Sequence, residues 1–251
     1  MSDSGPDPRP GAPRRSPATL ALIGLAALLA VLGLVGLGTW QIERRAWKLD
    51  LIARVESRIH AAPAPAPGPA AWPRISPEDA YRRVRARGTF LHESETLVQA
   101  VTELGGGFWV ITPLRTPDGT VLVNRGFVPA DRRDAETRRA GEVAGEATVT
   151  GLLRISEPHG AFLRANDPAA NRWTSRDVAA IAAARGLGTV APYFIDADAA
   201  PNPGGLPVGG LTVVAFRNDH LVYALTWFAL ALMAAGGAAL LFRDAWARAR
   251  S

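Results

Sequence analysis

His220 is the last ionisable side chain before a long apolar stretch near the end of the chain. A neutral imidazole is a good axial ligand for haem iron, and the apolar residues after it could lie against a porphyrin face. Ionisable groups at the edge of a membrane span are often functional. The alternative is that His220 and Tyr223 only anchor a helix at the membrane interface, as amphipathic rings do. From the residue types alone, both interpretations stay open.

Other kinds of reactive site leave no signal in the sequence. The four histidines, at positions 60, 92, 159 and 220, form no pair with the spacing of a helical metal site. Gly105–Gly107 lacks the lysine of a phosphate-binding loop, and no G-x-S-x-G nucleophile motif is present. The chain has no cysteine, which excludes a thiolate copper site and a Cys-x-x-Cys redox site. We therefore predict no catalytic residue, and no metal apart from a haem iron held by His220.

Two uncharged apolar segments, Ala18–Thr39 and Leu221–Phe242, must position this histidine. Each is long enough to cross a hydrocarbon core of about 30 Å as a helix. The alternative for the first segment is a cleaved signal peptide with Arg14 and Arg15 as its basic region, but the segment is too long and no clear cleavage site closes it. The alternative for the second is a buried core helix. We predict two transmembrane helices.

Basic flanking residues predict the orientation of these helices. Arg243, Arg248 and Arg250 follow the second segment, and only Arg217 closely precedes it, which places the C-terminal end in the cytoplasm. Two spans put both termini on the same side. We expect a multi-pass protein of a bacterial inner (cytoplasmic) membrane whose central domain is periplasmic.

The charge distribution argues against a nucleic-acid partner. The net charge is +5, but residues 41–219 hold 22 basic and 20 acidic side chains. The central region is therefore nearly neutral, and no basic stripe with interleaved aromatic residues runs through it.

Between the spans, the pattern predicts a β-rich α+β domain. The Asp118–Gly119 turn between two apolar runs predicts a hairpin, and Arg176–Arg185 predicts a helix with Ser175 as its N-cap and Gly186 just after its end. The predicted strands are 96–101, 108–115, 120–128, 147–155, 193–196 and 211–216. The predicted organisation is a disordered cytoplasmic tail (1–17), transmembrane helix 1 (18–39), a stalk and Pro/Ala linker (40–73), the periplasmic domain (74–219), transmembrane helix 2 (220–242) and a cytoplasmic tail (243–251).

Four patches of sequence resemble the surfeit locus protein one family, the cytochrome c oxidase assembly factors. The patches are LGTWQIERRAWK at 37–48, GFWVITPL at 107–114 with VLVNRGFVP at 121–129, NRW at 171–173 with Asp177 and PYFID at 192–196, and NDHLVYALTWF at 218–228. Together they run from the first span to the second. The sequence departs from the family pattern at Phe127, where the family usually has tryptophan, and matches weakly over 130–145.

The resemblance implies that the protein is a non-enzymatic assembly factor. Family members help to build the haem-bearing catalytic subunit of aa3-type haem-copper oxidases, and some bacterial members are reported to bind haem a through the histidine that corresponds to His220. The expected partners are the catalytic subunit of cytochrome c oxidase, haem a synthase and the lipid bilayer. On this basis the residues expected to bind haem a are His220, Tyr223, Trp227, Trp40 and Gln41. The residues expected to have partner or structural roles are Asn124, Arg125, Gly126, Pro129 and Arg44.

Several finer expectations accompany these residues. Trp40 and Gln41 fix the first helix at the interface or touch haem or a partner. Arg125 is expected to pair with an internal carboxylate, and Asn124 and Gly126 to shape the end of the hairpin. Small residues every four positions (231, 235 and 239, with Gly236 and Gly237 alongside) predict close helix packing, either with the first span or with an oxidase subunit.

Two rival functions stay open on sequence alone. A two-span structural or sensory protein would usually carry long helical stalks or a cytoplasmic signalling domain, whereas here the middle is predicted to be β-rich and the tails, of about 17 and 9 residues, are too short to signal alone. A membrane-anchored periplasmic hydrolase would need a buried acid–base pair in a cleft.

Overall fold

The described chain falls into two structural units. The computed structural model describes residues 16–158, 160, 164–212, 216 and 218–250. The helical unit takes the residues up to Ile52 and from Phe216 onward, and the globular unit takes Ala53–Ala215. The elements are helices α1 (Pro17–Ile59), α2 (Val178–Arg185) and α3 (His220–Arg250), and strands β1 (Ala64–Pro65), β2 (Arg83–Phe90), β3 (Thr96–Thr102), β4 (Gly105–Thr116), β5 (Gly119–Pro129), β6 (Glu146–Ile155) and β7 (Val190–Ala197).

Helices α1 and α3 are the two elements of the described residues that are long and apolar enough to cross a membrane, judged by length and composition. α1 has 43 residues and α3 has 31, whereas a span needs about 20. Ser16 caps the start of α1, because its hydroxyl oxygen accepts the Thr19 N–H at 3.2 Å. The predicted helical continuation beyond the first apolar segment is confirmed, since α1 runs unbroken to Ile59. The predicted tail at 1–17 lies almost wholly outside the described residues.

Five strands of the globular unit close into a barrel. β2 pairs antiparallel with β6 and β6 with β7, while β5 runs parallel to β7 and antiparallel to β4. The ring closes where Thr89 and Phe90 of β2 pair with Arg115 and Leu114 of β4. β1 lies beside β2 and β3 beside β4, outside the ring. A closed ring pairs the backbone groups of neighbouring strands all the way round and encloses a small interior.

Alternating side chains separate the inside of the barrel from its outer face. Val121 and Val123 of β5 point into the interior, and Leu122 between them points outward, where it packs with Ile181 of α2 and with Trp173. Helix α2 therefore covers the outside of the barrel. The interior cluster takes residues from all five barrel strands: Val84, Ala86, Phe90, Leu114, Val121, Val123, Val149, Leu153, Ala191, Tyr193 and Ile195.

Most of the strands predicted from sequence are confirmed within two or three residues, including the β4–β5 hairpin around Asp118–Gly119. The strand predicted at 211–216 lies largely outside the described residues. Strand β2 was missed because three arginines interrupt its apolar residues. Its buried positions alternate strictly with exposed ones (Val84, Ala86 and Gly88 inward, Arg85 and Arg87 outward), which is the signal that could have identified it.

The helix predicted at Arg176–Arg185 is confirmed as α2, but its predicted N-cap is wrong. The carboxylate of Asp177 accepts the Ala180 N–H at 3.1 Å, so Asp177 is the N-cap. The Ser175 hydroxyl instead donates to the Glu157 carbonyl at 2.8 Å. Gly186 ends the helix with φ of 63°, the left-handed conformation predicted for it.

The Pro/Ala segment, predicted to be a linker ahead of the domain at 74–219, joins the barrel. Ala64 and Pro65 pair in parallel with β2. The Trp72 indole N–H donates to the Pro67 carbonyl at 2.8 Å, and the Tyr193 hydroxyl donates to the same carbonyl at 2.8 Å. Burial raises the pKa of Tyr193, so this hydroxyl stays a donor. The globular unit thus includes residues that the composition alone assigns to a spacer.

Asp196 on the outer face of β7 is the polar centre of the barrel wall, and it is only 1% exposed. Its carboxylate accepts from Asn124 of β5 at 2.8 Å and from Arg154 of β6 at 2.8 Å. It also accepts from Arg176, just before α2, at 3.2 Å and from the Thr212 hydroxyl at 3.0 Å. One carboxylate therefore connects three strands, the start of α2 and the segment that leads toward α3.

Glu157 extends this network at the start of α2. Burial alone would raise the pKa of Glu157, but the hydrogen bonds and charge of Arg176 hold it below its usual value. Burial likewise disfavours the charged form of Arg176, yet Asp196 and Glu157 beside it raise its pKa. Both groups stay ionised because they are buried together.

We expect Asp196→Ala to lower the free energy of unfolding of the globular unit by about 3–5 kcal/mol, because it leaves the buried Arg154 and Arg176 without their carboxylate. Asp196→Asn keeps the shape and removes the charge, and should lie between this variant and the wild type. The measurement is urea unfolding of the full chain in mild detergent, followed by near-ultraviolet circular dichroism.

The control is Glu146→Ala. Glu146 pairs with Arg87 at 2.7 Å on the barrel surface, where both side chains are more than half exposed. Loss of such a pair costs less than about 1 kcal/mol. Equal losses for the two alanine variants would contradict the central role of Asp196.

Candidate functional site

His220 and Gln41 meet in the helical unit. His220 is the first residue of α3, and its Nδ1 lies 2.7 Å from Oε1 of Gln41 on α1. Because an amide oxygen only accepts, Nδ1 carries the proton in this hydrogen bond, so in the neutral ring the lone pair is on Nε2. Nε2 makes no hydrogen bond to any described residue. This is the arrangement of a ligating histidine, whose second nitrogen is held by a neighbouring oxygen.

Antiparallel packing of α1 and α3 brings these two residues together. A side chain added at Gly38 would meet the Phe228 ring at 2.5 Å, and one added at Gly24 would meet the Phe242 ring at 2.9 Å. Ala224 is fully buried. The sheltered positions recur at alternating spacings of three and four, as in helices that pack along a heptad seam. They are residues 24, 27, 31, 34, 38, 41, 45 and 48 of α1 and residues 220, 224, 227, 231, 234, 238, 241 and 245 of α3.

The helix contact predicted from the small residues of α3 is confirmed at only one of them. Ala231 is buried at 5% exposure, but Ala235 and Ala239 are exposed. Added side chains at Gly236 and Gly237 would meet nothing within 4 Å. The contact face follows a seven-residue repeat rather than a four-residue one, because packed helices keep a 3.5-residue period in register. The α1 contacts on this part of α3 are those of Gly24 with Phe242 and of Gly38 with Phe228.

The aromatic residues expected near His220 differ in their surroundings. Tyr223 and Trp227 lie three and seven residues after His220, on the same side of α3. Tyr223 is 56% exposed, whereas the indole N–H of Trp227 is buried and has no acceptor among the described residues. Trp40 is 50% exposed and adjoins Gln41 in the chain, so it projects about 100° away from it. The structure thus joins His220 to Gln41 and leaves Trp40 and Tyr223 facing outward.

Arg44 begins a group of basic and aromatic side chains about one helical turn after Gln41. The Arg44 guanidinium lies 4.4 Å from the centre of the Trp47 ring. The Lys48 ammonium lies 5.5 Å from the Phe216 ring. Cation–π pairs of this kind suit an interface, where rings and charges meet water.

The candidates on β5 belong to the globular unit. Asn124 donates to Asp196, and its carbonyl oxygen accepts the Gly126 N–H at 3.2 Å. Arg125 and Gly126 together oppose Val110, which forms a β-bulge. Gly126 has φ of +135°, and a Cβ there would lie 2.2 Å from the Val208 carbonyl oxygen, so only glycine fits. Pro129 ends the strand.

Two of the finer expectations for these residues are wrong. Asn124 and Gly126 shape a bulge within β5 rather than the end of the hairpin, which lies at 116–119. The buried carboxylate is that of Asp196, and it accepts a hydrogen bond from Asn124. Arg125 makes no ion pair with a described residue. Neighbouring residues of a strand point to opposite faces, so Arg125 faces inward while Asn124 faces the carboxylate on the outer face.

No group of three or more histidine, aspartate or glutamate side chains among the described residues is arranged to hold a metal ion. The chemistry that the site can perform is therefore that of a single imidazole with an oriented ring.

Comparison with known proteins places the chain in a family. The model of the SURF1 family matches residues 28–232. Surfeit locus protein 1 of Homo sapiens is 42% identical over 213 residues, which are 78% of this chain and 69% of the human protein. The SURF1-like protein of Monosiga brevicollis is 40% identical over 210 residues, 78% of each chain, and that of Drosophila melanogaster is 34% identical over 231 residues, 84% of this chain and 74% of the fly protein.

The chain belongs to the SURF1 family. The resemblance predicted from the four sequence patches is thereby confirmed. SURF1 proteins are known as cytochrome c oxidase assembly factors and not as enzymes, which agrees with the predicted non-enzymatic role and argues against the hydrolase interpretation. The matched region begins inside α1 and ends inside α3, so both the helical unit and the globular unit lie within it. The two apolar helices suggest that the protein is anchored in a membrane.

We expect Gly38→Val to destabilise the helix pair by about 1–3 kcal/mol more than Gly36→Val does. The two glycines lie two positions apart on α1, and the change in helix propensity is the same for both. Only Gly38 faces the Phe228 ring, whereas an added side chain at Gly36 meets nothing within 4 Å. The measurement is thermal unfolding in mild detergent, followed by tryptophan fluorescence. Equal effects of the two substitutions would contradict the packing of α1 on α3.

Proposed function

We propose that this protein binds haem a through Nε2 of His220 and assists its insertion into the catalytic subunit of an aa3-type cytochrome c oxidase. The observation that carries the proposal is the 2.7 Å hydrogen bond between Nδ1 of His220 and Gln41. A ligating histidine needs one nitrogen free and the other held by an acceptor, and this pair provides both.

The residues around His220 fit a porphyrin. Leu221, Val222 and Tyr223 directly after it are 41%, 65% and 56% exposed, so an apolar surface adjoins the imidazole. The buried N–H of Trp227, two helical turns further on, supports a polar ligand nearby, because a buried donor without an acceptor is costly. When bound, haem a supplies the redox-active iron of the oxidase. The chain itself supplies one nitrogen ligand and an apolar wall.

Gln41 acts as the positioning residue. Its amide oxygen fixes the tautomer and the plane of the His220 ring, so that Nε2 points away from α1. Because Gln41 lies on the other helix, this orientation depends on the packing of α1 against α3. A single neutral imidazole is also a ligand that can release its iron to a stronger site, which suits a carrier.

The membrane placement belongs to the same proposal. We infer that α1 and α3 cross a bacterial inner membrane with both termini in the cytoplasm and the globular unit in the periplasm. The supporting feature is the excess of arginine after the apolar part of α3, at positions 243, 248 and 250. His220 then lies at the periplasmic end of α3. The catalytic subunit of the oxidase and haem a synthase are the partners that this position favours.

We expect protein purified from cells that make haem a to carry it, and His220→Ala to reduce the haem content at least tenfold. Gln41→Leu keeps the ligand but removes its acceptor, and second-sphere losses of this kind lower affinity by about 10–100-fold. The measurement is the absorption spectrum of the purified protein together with haem extraction and quantification.

The matched control is His60→Ala. His60 is an exposed histidine that directly follows the last residue of α1, the helix that carries Gln41, and it contacts Glu56 at 3.0 Å. Its replacement should leave the haem content unchanged. A wild type without haem, or a His220→Ala variant with as much haem as the wild type, would refute the ligand assignment.

The assembly role predicts a separate result. Deleting the gene should reduce the a-type cytochrome signal of membranes and the oxidase activity, and the wild-type gene should restore both. If His220→Ala is produced at the normal level but restores less than the wild type, haem binding contributes to assembly. An unchanged a-type signal in the deletion strain, with no related gene present, would refute the assembly role for this protein.

A further inference from the structure

A cavity of about 280 Å³ lies at one end of the barrel in the globular unit. Inward-pointing side chains form its walls, among them Phe90 of β2, Val123 of β5 and Val149 of β6. Residues 200–203, which follow β7, form part of its rim. The mouths of barrels are common ligand sites, and this volume suits a small molecule.

Arg125 is the cation of this cavity. It follows Val121 and Val123 on the inward face of β5 and is only 3% exposed. Its Nη2 donates to the Gly141 carbonyl oxygen and, at 3.0 Å, to Oδ1 of Asn202. Nε is buried without a partner, and Nη1 has no acceptor among the described residues. Three of its five N–H groups are thus unused.

No carboxylate within the described residues forms an ion pair with Arg125. Glu95 and Glu142 are near enough to favour its charge, but neither forms an ion pair with it, and Glu95 is instead paired with Arg138, which is also buried. Burial lowers the pKa of the Arg125 guanidinium. The Phe90 ring, 5.0 Å from the guanidinium carbon, offsets part of the cost. A buried cation with unused donors is costly unless an anion meets it.

Arg154 and Arg176 in the same unit have a carboxylate partner, which Arg125 lacks among the described residues. Both are largely buried, and both donate to the Asp196 carboxylate on the outer face of the barrel. Asp196 is the internal anion of these two arginines, and none of the described carboxylates contacts Arg125 in the same way. The place where an anion would meet Arg125 is the cavity.

We propose that this cavity binds a small organic anion, with a carboxylate or phosphate group on the N–H groups of Arg125 and a short apolar body against Phe90, Val123 and Val149. The site is separate from His220, and the proposal does not depend on haem binding. Asp198, which also lines the cavity, disfavours a second negative charge. A monoanion therefore fits better than a polyphosphate.

The probe is 4-fluorobenzoate, which joins one carboxylate to a small apolar ring and is visible by fluorine NMR. The full chain in detergent is titrated, and detergent alone is the blank. We expect saturable binding with Kd below about 1 mM, and at least tenfold weaker binding of the neutral isostere 4-fluorobenzamide. Inorganic phosphate tests whether the anionic group alone is enough, and we expect it to compete weakly because it has no apolar body.

Two variants place the probe in this cavity. Arg125→Met removes the cation and keeps the apolar stem, and should weaken binding of 4-fluorobenzoate at least tenfold. Ala200→Trp adds a ring at the exposed rim, does not touch Arg125, and should block entry. Arg87→Met, an exposed arginine outside the cavity, is the matched control and should bind as the wild type does.

Arg125 contacts two loops, so Arg125→Met could fail to fold, and circular dichroism checks this. If Arg125→Met does not fold, Asp198→Asn and Ala200→Trp together test whether the probe binds in this cavity. Asp198→Asn removes the competing negative charge but keeps Oδ1, which accepts the Ala200 N–H at 3.1 Å, and should tighten binding severalfold. No saturable binding to the wild type, equal affinity for the amide, or equal affinity of the wild type and the rim variants would overturn the proposal.

Discussion

The Asp196 carboxylate lies in the barrel wall with 1% exposure, where an unpaired charge would cost more than the rest of the unit could offset. Asn124, Arg154, Arg176 and Thr212 each donate to it, so its burial is possible only when β5, β6, β7 and the start of α2 are all in place. The barrel strands could exchange apolar residues without changing the fold. They could not shift register by one residue, because the shift would turn this carboxylate into the apolar interior.

The same constraint explains the two faces of β5. Asn124 points outward to Asp196, and Arg125, the next residue, turns inward at a bulge. Gly126 allows the bulge, since any larger residue would collide with the Val208 carbonyl. The outer face thus carries a satisfied polar network, whereas the inner face ends in a cation with unused donors. Three consecutive residues of one motif have three separate physical roles.

In the helical unit, the hydrogen bond between the two helices sets the orientation of the His220 ring. His220 is half-buried at the start of α3, and its only hydrogen bond to a described residue is to Gln41. Gly38, about one turn before Gln41, lets α1 approach the Phe228 ring closely. A change in helix packing would therefore alter the direction of the imidazole before it altered the fold. The approach of α1 to α3 thus sets the direction of this imidazole.

The sequence by itself determined the two apolar helices, the β4–β5 hairpin and the family, because these depend on local composition, on short-range turn chemistry or on contiguous motifs. Only the tertiary structure decided that five strands close into a barrel, that Asn124 rather than Arg125 meets the buried carboxylate, and that Gln41 is the partner of His220. Asn124 is 72 residues from Asp196 and Gln41 is 179 residues from His220. Contacts at such distances, and the bulge at Arg125 and Gly126, leave no periodic trace in the sequence. They exist because strands and helices far apart in the chain must share one set of hydrogen bonds and one packed interior.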